Sequence, residues 1–393
     1  MSSKDVVICS AVRTPIGSFQ GAFSSLSASD LGGIAVAEAV KRSGAKPDEM
    51  ERAILGNVLP AAMGQAPARQ AVIKAGLPVS VGAITINKVC GSGLQAVMFA
   101  RREILVGDAE VMIAGGMESM TNAPYALPNA RGGYRMGNGK IIDTMIHDGL
   151  WDPYDDMHMG NCGDMVAAKY SFTREDQDAF ATVSYERAVA AQKEGRFKDE
   201  IVPVTVKGRK GDTLVDQDEE PGRGQLDKMA ALRPAFSKDG TVTAANASTI
   251  NDGAAALVVA SAETAKARGY TVLARIVADS NAAVEPKWFT VAPVHALAKL
   301  YEKTHTKPLD WDLYEINEAF SGVTMAAMKE HGLPHERVNV NGGAVALGHP
   351  IGCSGARLLV TLIHSLRQRG QKSGIATLCI GGGEAVALAV ELV

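Results

Sequence analysis

The amino-acid sequence predicts an α/β fold from three observations. Short apolar runs such as VVICSAV and AITINKV alternate with helix-like stretches such as LGGIAVAEAVKRSG, which is typical of buried, largely parallel strands covered by helices. The 393 residues, 46% of them hydrophobic, exceed one small domain and can bury a sizeable core. One succession of glycine-rich turn, helix-like stretch and apolar run occurs twice. We therefore expect two similar αβ halves.

The repeated succession is an internal repeat whose two copies differ in spacing. The first copy contains NKVCGSG, LQAVMFARREILVGDA and EVMIAGGMES, and the second contains NVNGGAVALGHPIGCSG, ARLLVTLIHSLRQRG and IATLCIGGGEA. Gly93 and Gly116 are 23 positions apart in the first copy, and Gly355 and Gly382 are 27 apart in the second. A pseudo-twofold relation would bring both turns to the centre of the molecule. The alternative is that αβ units resemble one another in unrelated folds.

Residues 120–249 differ in character from the segments on either side. They contain turn residues, tyrosines and clustered charge, as in GLWDPYDDMHMG and KGRKGDTLVDQDEEPGRG. This composition predicts a long insertion with its own helices and turns, suited to a lid or a ligand-gripping role. The apolar strand pattern resumes at NASTINDGAAALVVA.

Charge and composition exclude several classes of protein. The 40 Lys and Arg residues against 43 Asp and Glu give a net charge of −3, which provides no global attraction for nucleic acid or an anionic membrane. No apolar run approaches the roughly 20 residues that cross a bilayer, and MSSKDVVICSAVRTP lacks a signal pattern, so we expect a cytoplasmic protein. Five cysteines without a CxxC pair argue against a disulfide framework or a structural zinc site.

Cys90 is the first candidate for chemistry. It lies between a predicted strand, AITINKV, and a predicted helix that starts GSGLQA. The positive end of a helix dipole favours a thiolate, and the small neighbouring residues allow a ligand to approach, so Cys90 is a candidate nucleophile. A buried structural cysteine is the alternative. The same segment fits a weak dinucleotide-binding pattern, but the next strand ends in glycine where that pattern needs an acidic residue.

Three further residues have side chains suited to acid–base chemistry. His349 lies in the glycine-dense loop GGAVALGHPIGCSG and can act as a general base or donate to an oxyanion, unless it is an ordinary exposed histidine. Cys379 ends the predicted strand IATLCI, where side chains emerge at a sheet edge, and a buried strand cysteine is the alternative. Asn317 follows another apolar stretch and can orient a water molecule or cap a helix.

These motifs together resemble the signature blocks of the thiolase family. NKVCGSGLQAV, NEAFS, NVNGGAVALGHPIGCSGARLL and CIGGG occur in that order, and GMESM and TVTAANASTINDGAAAL also match. The resemblance implies a five-layered αβαβα fold with duplicated βαβαβ halves and an inserted loop domain. It places the N-terminal half at residues 1–119 plus 250–271, the inserted domain at 120–249 and the C-terminal half at 272–393.

The resemblance also implies a role for each candidate residue. Cys90 would carry the acyl group as a thioester, and His349 would receive the Cys90 proton. With a water positioned by Asn317, His349 would form one oxyanion hole. Cys379 would remove the α-proton of the acceptor. The backbone amides of Cys90 and Gly381 would form a second oxyanion hole.

Coenzyme A contacts are implied in the same way. The predicted set is His158, Met159, Leu150, Arg223, Lys228, Ala247, Ser248, Phe289 and Phe320. His158 and Met159 would lie beside the acyl-pantetheine end, and Ala247 and Ser248 along the pantetheine. Arg223 and Lys228 would lie near the nucleotide phosphates, where cations are expected, with a solvated loop as the alternative.

The activity implied is the reversible Claisen condensation of two acetyl-CoA to acetoacetyl-CoA plus CoA. HMG at 158–160 is typical of short-chain thiolases. The alternatives are a broader 3-ketoacyl-CoA or 2-methylacetoacetyl-CoA thiolase of fatty-acid or branched-chain degradation, and a catalytically silent acyl-CoA-binding relative. The resemblance implies a homotetramer, a dimer of dimers, with no nucleic acid or membrane partner. No cofactor or metal is predicted. Potassium, which some thiolases bind near the AANA backbone, stays open because Pro221 replaces a tyrosine.

Overall fold

A mixed ten-stranded sheet forms the centre of the molecule. The computed structural model describes residues 5–393. The strands are β1 (Val6–Arg13), β2 (Gly17–Ser18), β3 (Arg52–Gly56), β4 (Gly82–Ile86), β5 (Val111–Ser119), β6 (Tyr125–Ala126), β7 (Ile142–Asp143), β8 (Trp151–Asp152), β9 (Met157–His158), β10 (Val204–Val206), β11 (Thr213–Val215), β12 (Asn251–Ser261), β13 (Ala274–Ala283), β14 (Leu313–Ile316), β15 (Ser373–Ile380) and β16 (Glu384–Leu392).

Helices cover the sheet and form most of the insertion. The α-helices are α1 (Ala28–Ser43), α2 (Pro67–Lys74), α3 (Ser92–Val106), α4 (Thr144–Gly149), α5 (Met159–Tyr170), α6 (Arg174–Lys193), α7 (Ala262–Arg268), α8 (Ala292–Thr304), α9 (Ser321–His331), α10 (Ala344–Leu347) and α11 (Ile351–Gln368). Short 3₁₀ segments lie at Pro47–Glu49, Pro221–Arg223, Leu226–Ala231, Pro286–Val291, Pro308–Asp310 and His335–Arg337.

The strand order of the large sheet is β14-β15-β16-β13-β1-β12-β5-β3-β4, with β2 beside β12. Strand β3 is parallel to β4 and β5, and β14 is parallel to β15, while the other neighbours are antiparallel. The expectation of largely parallel strands was therefore wrong. Strands buried on both faces form continuous apolar runs in either orientation, so the pattern could not distinguish the two.

The sheet consists of two halves with the same arrangement. One half has the order β1-β12-β5-β3-β4 and the other β13-β16-β15-β14. Beyond β14, Val338 pairs in parallel with Tyr314, at the place that β4 takes in the first half. The halves join at β1 and β13 through two residue pairs, Val7 with Arg275 and Ile8 with Ala274. The internal repeat of the sequence thus corresponds to two halves with the same fold.

Five layers result from the placement of the helices. Helices α3 and α11 lie together in the middle, and each contacts strands of both halves. Helices α1 and α2 cover the opposite face of the first half, and α8 and α9 cover that of the second. Helix α11 is buried from Ile351 to Leu366, as expected for a central helix that is largely apolar all round. The predicted fold class, a five-layered αβαβα fold, is confirmed.

Glycines allow α3 and α11 to cross closely near their N-terminal ends. A Cβ atom on Gly93 would lie 2.7 Å from the Ala356 nitrogen, and one on Gly355 would lie 2.5 Å from the Leu94 nitrogen. A side chain at either position would force the helices apart. The crossing therefore brings the two N-terminal ends, and the residues just before them, to one place.

The segment between β5 and β12 contributes no strand to the large sheet in the described part of the chain. It contains α4 to α6 and three two-stranded ribbons, β6-β7, β8-β9 and β10-β11. Fully buried Arg13 anchors it to β1, with Nε 2.6 Å from Glu200 Oε1 and two nitrogens 2.6 and 2.9 Å from the Asp218 carboxylate. The exact domain boundaries stay a prediction. Within residues 5–393, every helix is too short or too polar to span a membrane.

Candidate active site

A cavity of about 190 Å³ lies where the N-terminal ends of α3 and α11 face the insertion. Its walls are mostly apolar, with a few polar side chains, which is typical of a small-molecule site. The lining residues are Cys90, Met120, Leu150, His158, Met159, Phe236, Ala247, Ser248, Thr249, Ile250, Phe289, Ala319, Phe320, His349 and Ile351. The structure therefore brings together nine of the residues that the sequence predicted for the site.

Cys90 lies in the turn between β4 and α3. The preceding residue, Val89, has φ 44°, a left-handed backbone that is strained for a β-branched side chain. Ser92 holds this turn, because its Oγ accepts from the Lys88 N–H at 2.8 Å and donates to the Val89 carbonyl at 2.7 Å. Backbone strain of this kind clusters at functional sites, and here it sets the direction of the thiol.

The Cys90 thiol is protonated in the resting structure. Burial raises its pKa to about 11, the Gly381 N–H that hydrogen-bonds to it acts in the opposite direction, and the nearby Glu118 charge raises the pKa further. The expectation that the helix terminus favours a thiolate was therefore wrong for the unliganded protein. The cost of burying a charge exceeds the effect of the helix dipole.

His349 lies just before α11 and is nearly fully buried. Its Nδ1 is 2.6 Å from Ser354 Oγ, and its Nε2 is 3.4 Å from Asn317 Nδ2. Its backbone N–H donates to Asn251 Oδ1 at 3.0 Å. Burial, with a smaller effect of the Arg357 charge, lowers the pKa of His349 to about 3. A neutral imidazole thus shares the cavity with a neutral thiol, and it can accept the thiol proton.

Asn317 and Cys379 are fully buried beside these two groups. Asn317 follows β14, and its Oδ1 has no hydrogen-bond partner in the described part of the protein. Such an atom can accept a hydrogen bond from a water molecule or a ligand. Cys379 lies near the end of β15 in an apolar cluster with Met159, Phe289 and Phe320. Burial, and then the neighbouring Cys90, raise the pKa of the Cys379 thiol.

A side chain at Gly381 would displace the end of Met159. A Cβ atom there would lie 2.2 Å from Met159 Cε and 3.5 Å from Val89 Cγ1. Its absence lets the Gly381 N–H reach the Cys90 sulfur. The backbone amides of Gly381 and Cys90 are consequently near each other, as an oxyanion hole requires.

The comparisons with known proteins agree with this site. The family model of the thiolase N-terminal domain matches residues 6–263, and that of the thiolase C-terminal domain matches residues 270–392. The chain belongs to the thiolase family. This thiolase is 53% identical to the acetyl-CoA acetyltransferase of Cupriavidus necator, over 98% of this chain and 99% of that one. It is 51% identical to the acetyl-CoA acetyltransferase of Pseudomonas aeruginosa, over 98% of each chain.

A solved structure supports the same relationship. The crystal structure of the acetyl-CoA acetyltransferase of Bacillus anthracis superposes with a TM-score of 0.97 at 45% sequence identity, covering 99% of each chain. The similarity thus extends over the fold as a whole, including the insertion of this thiolase.

An aromatic wall on the insertion contains a residue that the sequence reasoning missed. The His158 ring stacks on Phe236 with centroids 4.7 Å apart, and Phe236 meets the Phe320 ring edge-on at 6.2 Å. His158 Nδ1 accepts from the Gly160 N–H at 3.0 Å, and burial lowers the pKa of the ring. The available signal for Phe236 was that it is the lone phenylalanine in a long polar stretch before the AANAST motif.

The segment at Ala247 and Ser248 forms the facing wall. Ala247 pairs with Phe320 in an isolated bridge. The Ser248 N–H and hydroxyl both donate to the Ala319 carbonyl at 3.0 Å. Because its hydrogen is engaged, the Ser248 hydroxyl can offer the cavity only an acceptor. Leu150 accepts from the Met159 N–H at 2.9 Å, and this fixes the start of α5.

Arg223 and Lys228 lie outside the cavity. Both are exposed, on the 3₁₀ segments Pro221–Arg223 and Leu226–Ala231. Their contact with nucleotide phosphates stays a prediction. Pro221 has no side-chain oxygen to offer a cation, and binding of potassium stays an open prediction. Among residues 5–393, no cluster of three or more His, Cys, Asp or Glu side chains could hold a metal ion.

Glu118 is a second residue whose importance the sequence did not reveal. It is fully buried and accepts hydrogen bonds from Asn57 Nδ2 at 2.7 Å, from the backbone of Val58 and Leu59 at 2.9 and 3.2 Å, and from the Gly352 N–H at 2.9 Å. Burial raises its pKa to about 7. Glu118 thereby ties the loop after β3 to the start of α11. The sequence analysis used GMESM, which contains Glu118, only as a family motif and assigned the glutamate no role.

Proposed function

We propose that this thiolase is an acetyl-CoA C-acetyltransferase that interconverts two acetyl-CoA with acetoacetyl-CoA plus CoA. The observation that carries the proposal is the convergence of Cys90 and His349 on one small cavity, with Cys379 and the Gly381 N–H against Cys90. A Claisen condensation through a thioester needs a nucleophile, a base for a carbon acid and donors for two oxyanions. This set supplies each of them.

In the first half-reaction, His349 takes the Cys90 proton as the sulfur attacks the acetyl-CoA carbonyl. The backbone N–H groups of Cys90 and Gly381 stabilise the oxyanion of the tetrahedral intermediate. Its collapse leaves acetyl-Cys90 and a CoA thiolate, which recovers the proton from His349. Because both groups are neutral at rest, proton transfer accompanies attack and no resting ion pair is required.

In the second half-reaction, neutral His349 takes the proton of the Cys379 thiol, and the resulting thiolate removes an α-proton from a second acetyl-CoA. The enolate oxygen accepts hydrogen bonds from His349 and from a water held by Asn317, whose free Oδ1 supports this role. The enolate carbon attacks acetyl-Cys90, which forms acetoacetyl-CoA and releases the Cys90 thiolate. That thiolate takes the proton that His349 holds, while Cys379 keeps the α-proton, so Cys90, His349 and Cys379 are all neutral again.

The size of the cavity supports a short acyl group. About 190 Å³ holds an acetyl or acetoacetyl unit and the end of a pantetheine, whereas the nucleotide must remain outside. Met159, Phe289 and Phe320 close the apolar side of this space. A thiolase that acts on long-chain 3-ketoacyl-CoA would need a wider cavity.

The remaining expectations enter as parts of the same proposal. The five cysteines are free and buried, which suits the reducing cytoplasm. The apolar side chains of Tyr125, Leu127, Met136 and Ile141 are exposed in the insertion, which suits tetramer assembly through this segment. The thioester itself acidifies the α-carbon, so the proposed mechanism uses no further cofactor.

The test follows the loss of acetoacetyl-CoA absorbance in the presence of CoA, with wild type, Cys90→Ala and Cys9→Ala. Cys9 is also a buried, free thiol but lies in β1 on the other face of the sheet. We expect activity in wild type and Cys9→Ala, no turnover in Cys90→Ala, and one acetyl group on Cys90 by mass spectrometry. Turnover by Cys90→Ala, or acetylation of Cys379 instead, would reject the mechanism. Faster cleavage of six-carbon or 2-methyl substrates would reject the acetoacetyl-CoA assignment.

A further inference from the structure

The two ring nitrogens of His349 have different partners. Nδ1 lies 2.6 Å from Ser354 Oγ, inside the first turn of α11, and Nε2 lies 3.4 Å from Asn317 Nδ2. All three side chains are buried. A neutral imidazole carries one hydrogen, and its position decides which nitrogen can act as a base.

The Ser354 hydroxyl has one hydrogen, and a carbonyl is positioned to receive it. Ser354 Oγ lies 2.9 Å from the Pro350 carbonyl oxygen, the back-bonding geometry that serine adopts in a helix. That carbonyl also accepts the backbone N–H groups of Cys353 and Ser354, each at 2.9 Å. With the hydrogen engaged there, the hydroxyl oxygen can only accept from His349, which requires a proton on Nδ1.

The contact at the other nitrogen favours the same tautomer. Asn317 turns its amide NH₂ group, a donor, toward Nε2, while its Oδ1 points elsewhere and has no partner in the described structure. A proton on Nε2 would place two hydrogen-bond donors, the Nε2–H and the Asn317 amide, against each other. A bare Nε2 accepts from Asn317 and keeps a lone pair for the proton of the thiol that shares its cavity.

We infer that Ser354 is a positioning residue that holds His349 as the Nδ1–H tautomer, so that Nε2 is free to take the proton of Cys90. This inference rests on the proposed function, because it names the group that prepares the base of the same site. The neutral state of His349, which its lowered pKa maintains, makes the choice of tautomer matter at physiological pH. Loss of a tautomer-setting partner costs enzymes activity although the base remains in place.

The first experiment is ¹⁵N NMR of the wild-type enzyme with ¹⁵N-labelled histidine. The His349 signals are assigned by their absence in His349→Asn. We expect a pyrrole-type Nδ1 and a pyridine-type Nε2, and in Ser354→Ala a shift of both signals toward the other tautomer. A pyridine-type Nδ1 in the wild type would overturn the inference, and this result does not depend on whether any Ser354 variant folds.

The second experiment compares thiolysis of acetoacetyl-CoA by Ser354→Ala and Ser365→Ala. Ser365 is a buried serine of the same helix, which accepts from Asn341 Nδ2 at 3.1 Å, so it controls for loss of a buried hydroxyl. We expect Ser354→Ala to lower kcat about 10–100-fold with KM little changed, and Ser365→Ala to retain wild-type kcat. A wild-type kcat in Ser354→Ala would overturn the inference. A wild type inactive on acetoacetyl-CoA would reject the proposed function, while the NMR result would still decide the tautomer.

Discussion

The two halves of this thiolase place different side chains at matching positions of one frame. In the first half β3 ends at the pair Gly56 with Gly116, and in the second half β14 ends at the pair Ile316 with Thr377. The residue after each of these two short strands is an asparagine. Two residues further along the partner strand, the first half has a glutamate and the second has a cysteine.

The glutamate of the first half has a structural role. Asn57 donates to Glu118 at 2.7 Å, and Glu118 holds the start of α11. In the second half, the matching Asn317 faces His349 and the matching Cys379 is a buried thiol beside Cys90. Duplication of the frame thus allows one copy to hold the site together and the other to supply acid–base chemistry.

The helix termini show the same division. Cys90 and His349 each lie two residues before the start of a central helix, α3 or α11. One provides the nucleophile and the other the base, because the glycine crossing at Gly93 and Gly355 brings these termini together. Matching position predicts proximity here, whereas the side chain determines the role.

The largest expected effect on activity comes from removing the Cys379 thiol of the second half. In Cys379→Ala we expect kcat for thiolysis to fall about 10²–10⁴-fold with the melting temperature nearly unchanged, because a buried methyl leaves no polar atom unsatisfied. Acetyl-CoA should still acetylate Cys90, measured by mass spectrometry. Loss of acetylation as well as condensation would show that Cys379 is not confined to the second half-reaction.

The matching position in the first half should instead control stability. Burial raises the pKa of Glu118 from 4.5 to about 7, so the folded protein keeps a proton that the unfolded chain releases over this range. Its contribution to stability is full below pH 4.5 and is lost as the pH rises to about 7. We expect the free energy of unfolding of wild type, relative to Glu118→Gln, to fall by on the order of 3 kcal/mol over that range.

Urea titrations at one protein concentration and several pH values measure this difference. Glu194→Gln, an exposed glutamate, is the control and should show no such trend. A difference that is constant with pH would mean that Glu118 ionises normally in the folded protein.

Replacing a glycine by alanine should lower stability in the first half and catalytic activity in the second half. A Cβ on Gly116 would lie 2.0 Å from the Gly352 carbonyl oxygen, a backbone atom that cannot yield, so Gly116→Ala should destabilise the fold by about 1–3 kcal/mol. A Cβ on Gly381 would meet the flexible end of Met159. Gly381→Ala should keep its stability but lose about 10–100-fold in kcat, because the methyl group displaces Met159, which lines the cavity with Cys90. Thermal melts and thiolysis rates of both variants test this, and equal melting temperatures would contradict it.

The smallest effect is expected at the ion pair between the halves. Lys88, in the turn before Cys90, pairs with Glu384, which follows the GGG turn. Both side chains are partly exposed, so a double-mutant cycle with Lys88→Met and Glu384→Gln should give a coupling of about 0.2–1 kcal/mol that decreases with salt. A coupling above about 2 kcal/mol would mean that this pair is a main connection between the halves.

The sequence predicted the parts of the site that lie in glycine-rich motifs, because such turns have narrow requirements that residue identity records. Cys90 and His349 were found in this way. Strand direction was not predictable, since β12 is apolar on both faces and reads the same in either orientation. Phe236 and Ser354 were missed because their roles depend on contacts with His158 and His349.

The protonation of Cys90 shows a different limit. The position at a helix terminus was visible in the sequence, but the degree of burial was not. Burial has the larger effect on its pKa, so the direction of the shift could be obtained only from the packed structure. Contacts outside the cavity, such as those expected for Arg223 and Lys228, depend on a ligand and stay predictions.

The short junction between β1 and β13 affects how substrates can enter the cavity and how products can leave it. Only two strand residue pairs join the halves of the sheet in the described chain. The tight crossing of α3 and α11 adds to this connection, together with side-chain contacts such as the Lys88–Glu384 pair. A hinge between the halves would have to pull these helices apart, and with them the two reacting groups. Access to the cavity is therefore more easily changed by the insertion, whose residues form just over half of the cavity lining. The helix pair thus fixes the positions of Cys90 and His349, and we expect movement of the insertion, where it occurs, to control access to the cavity.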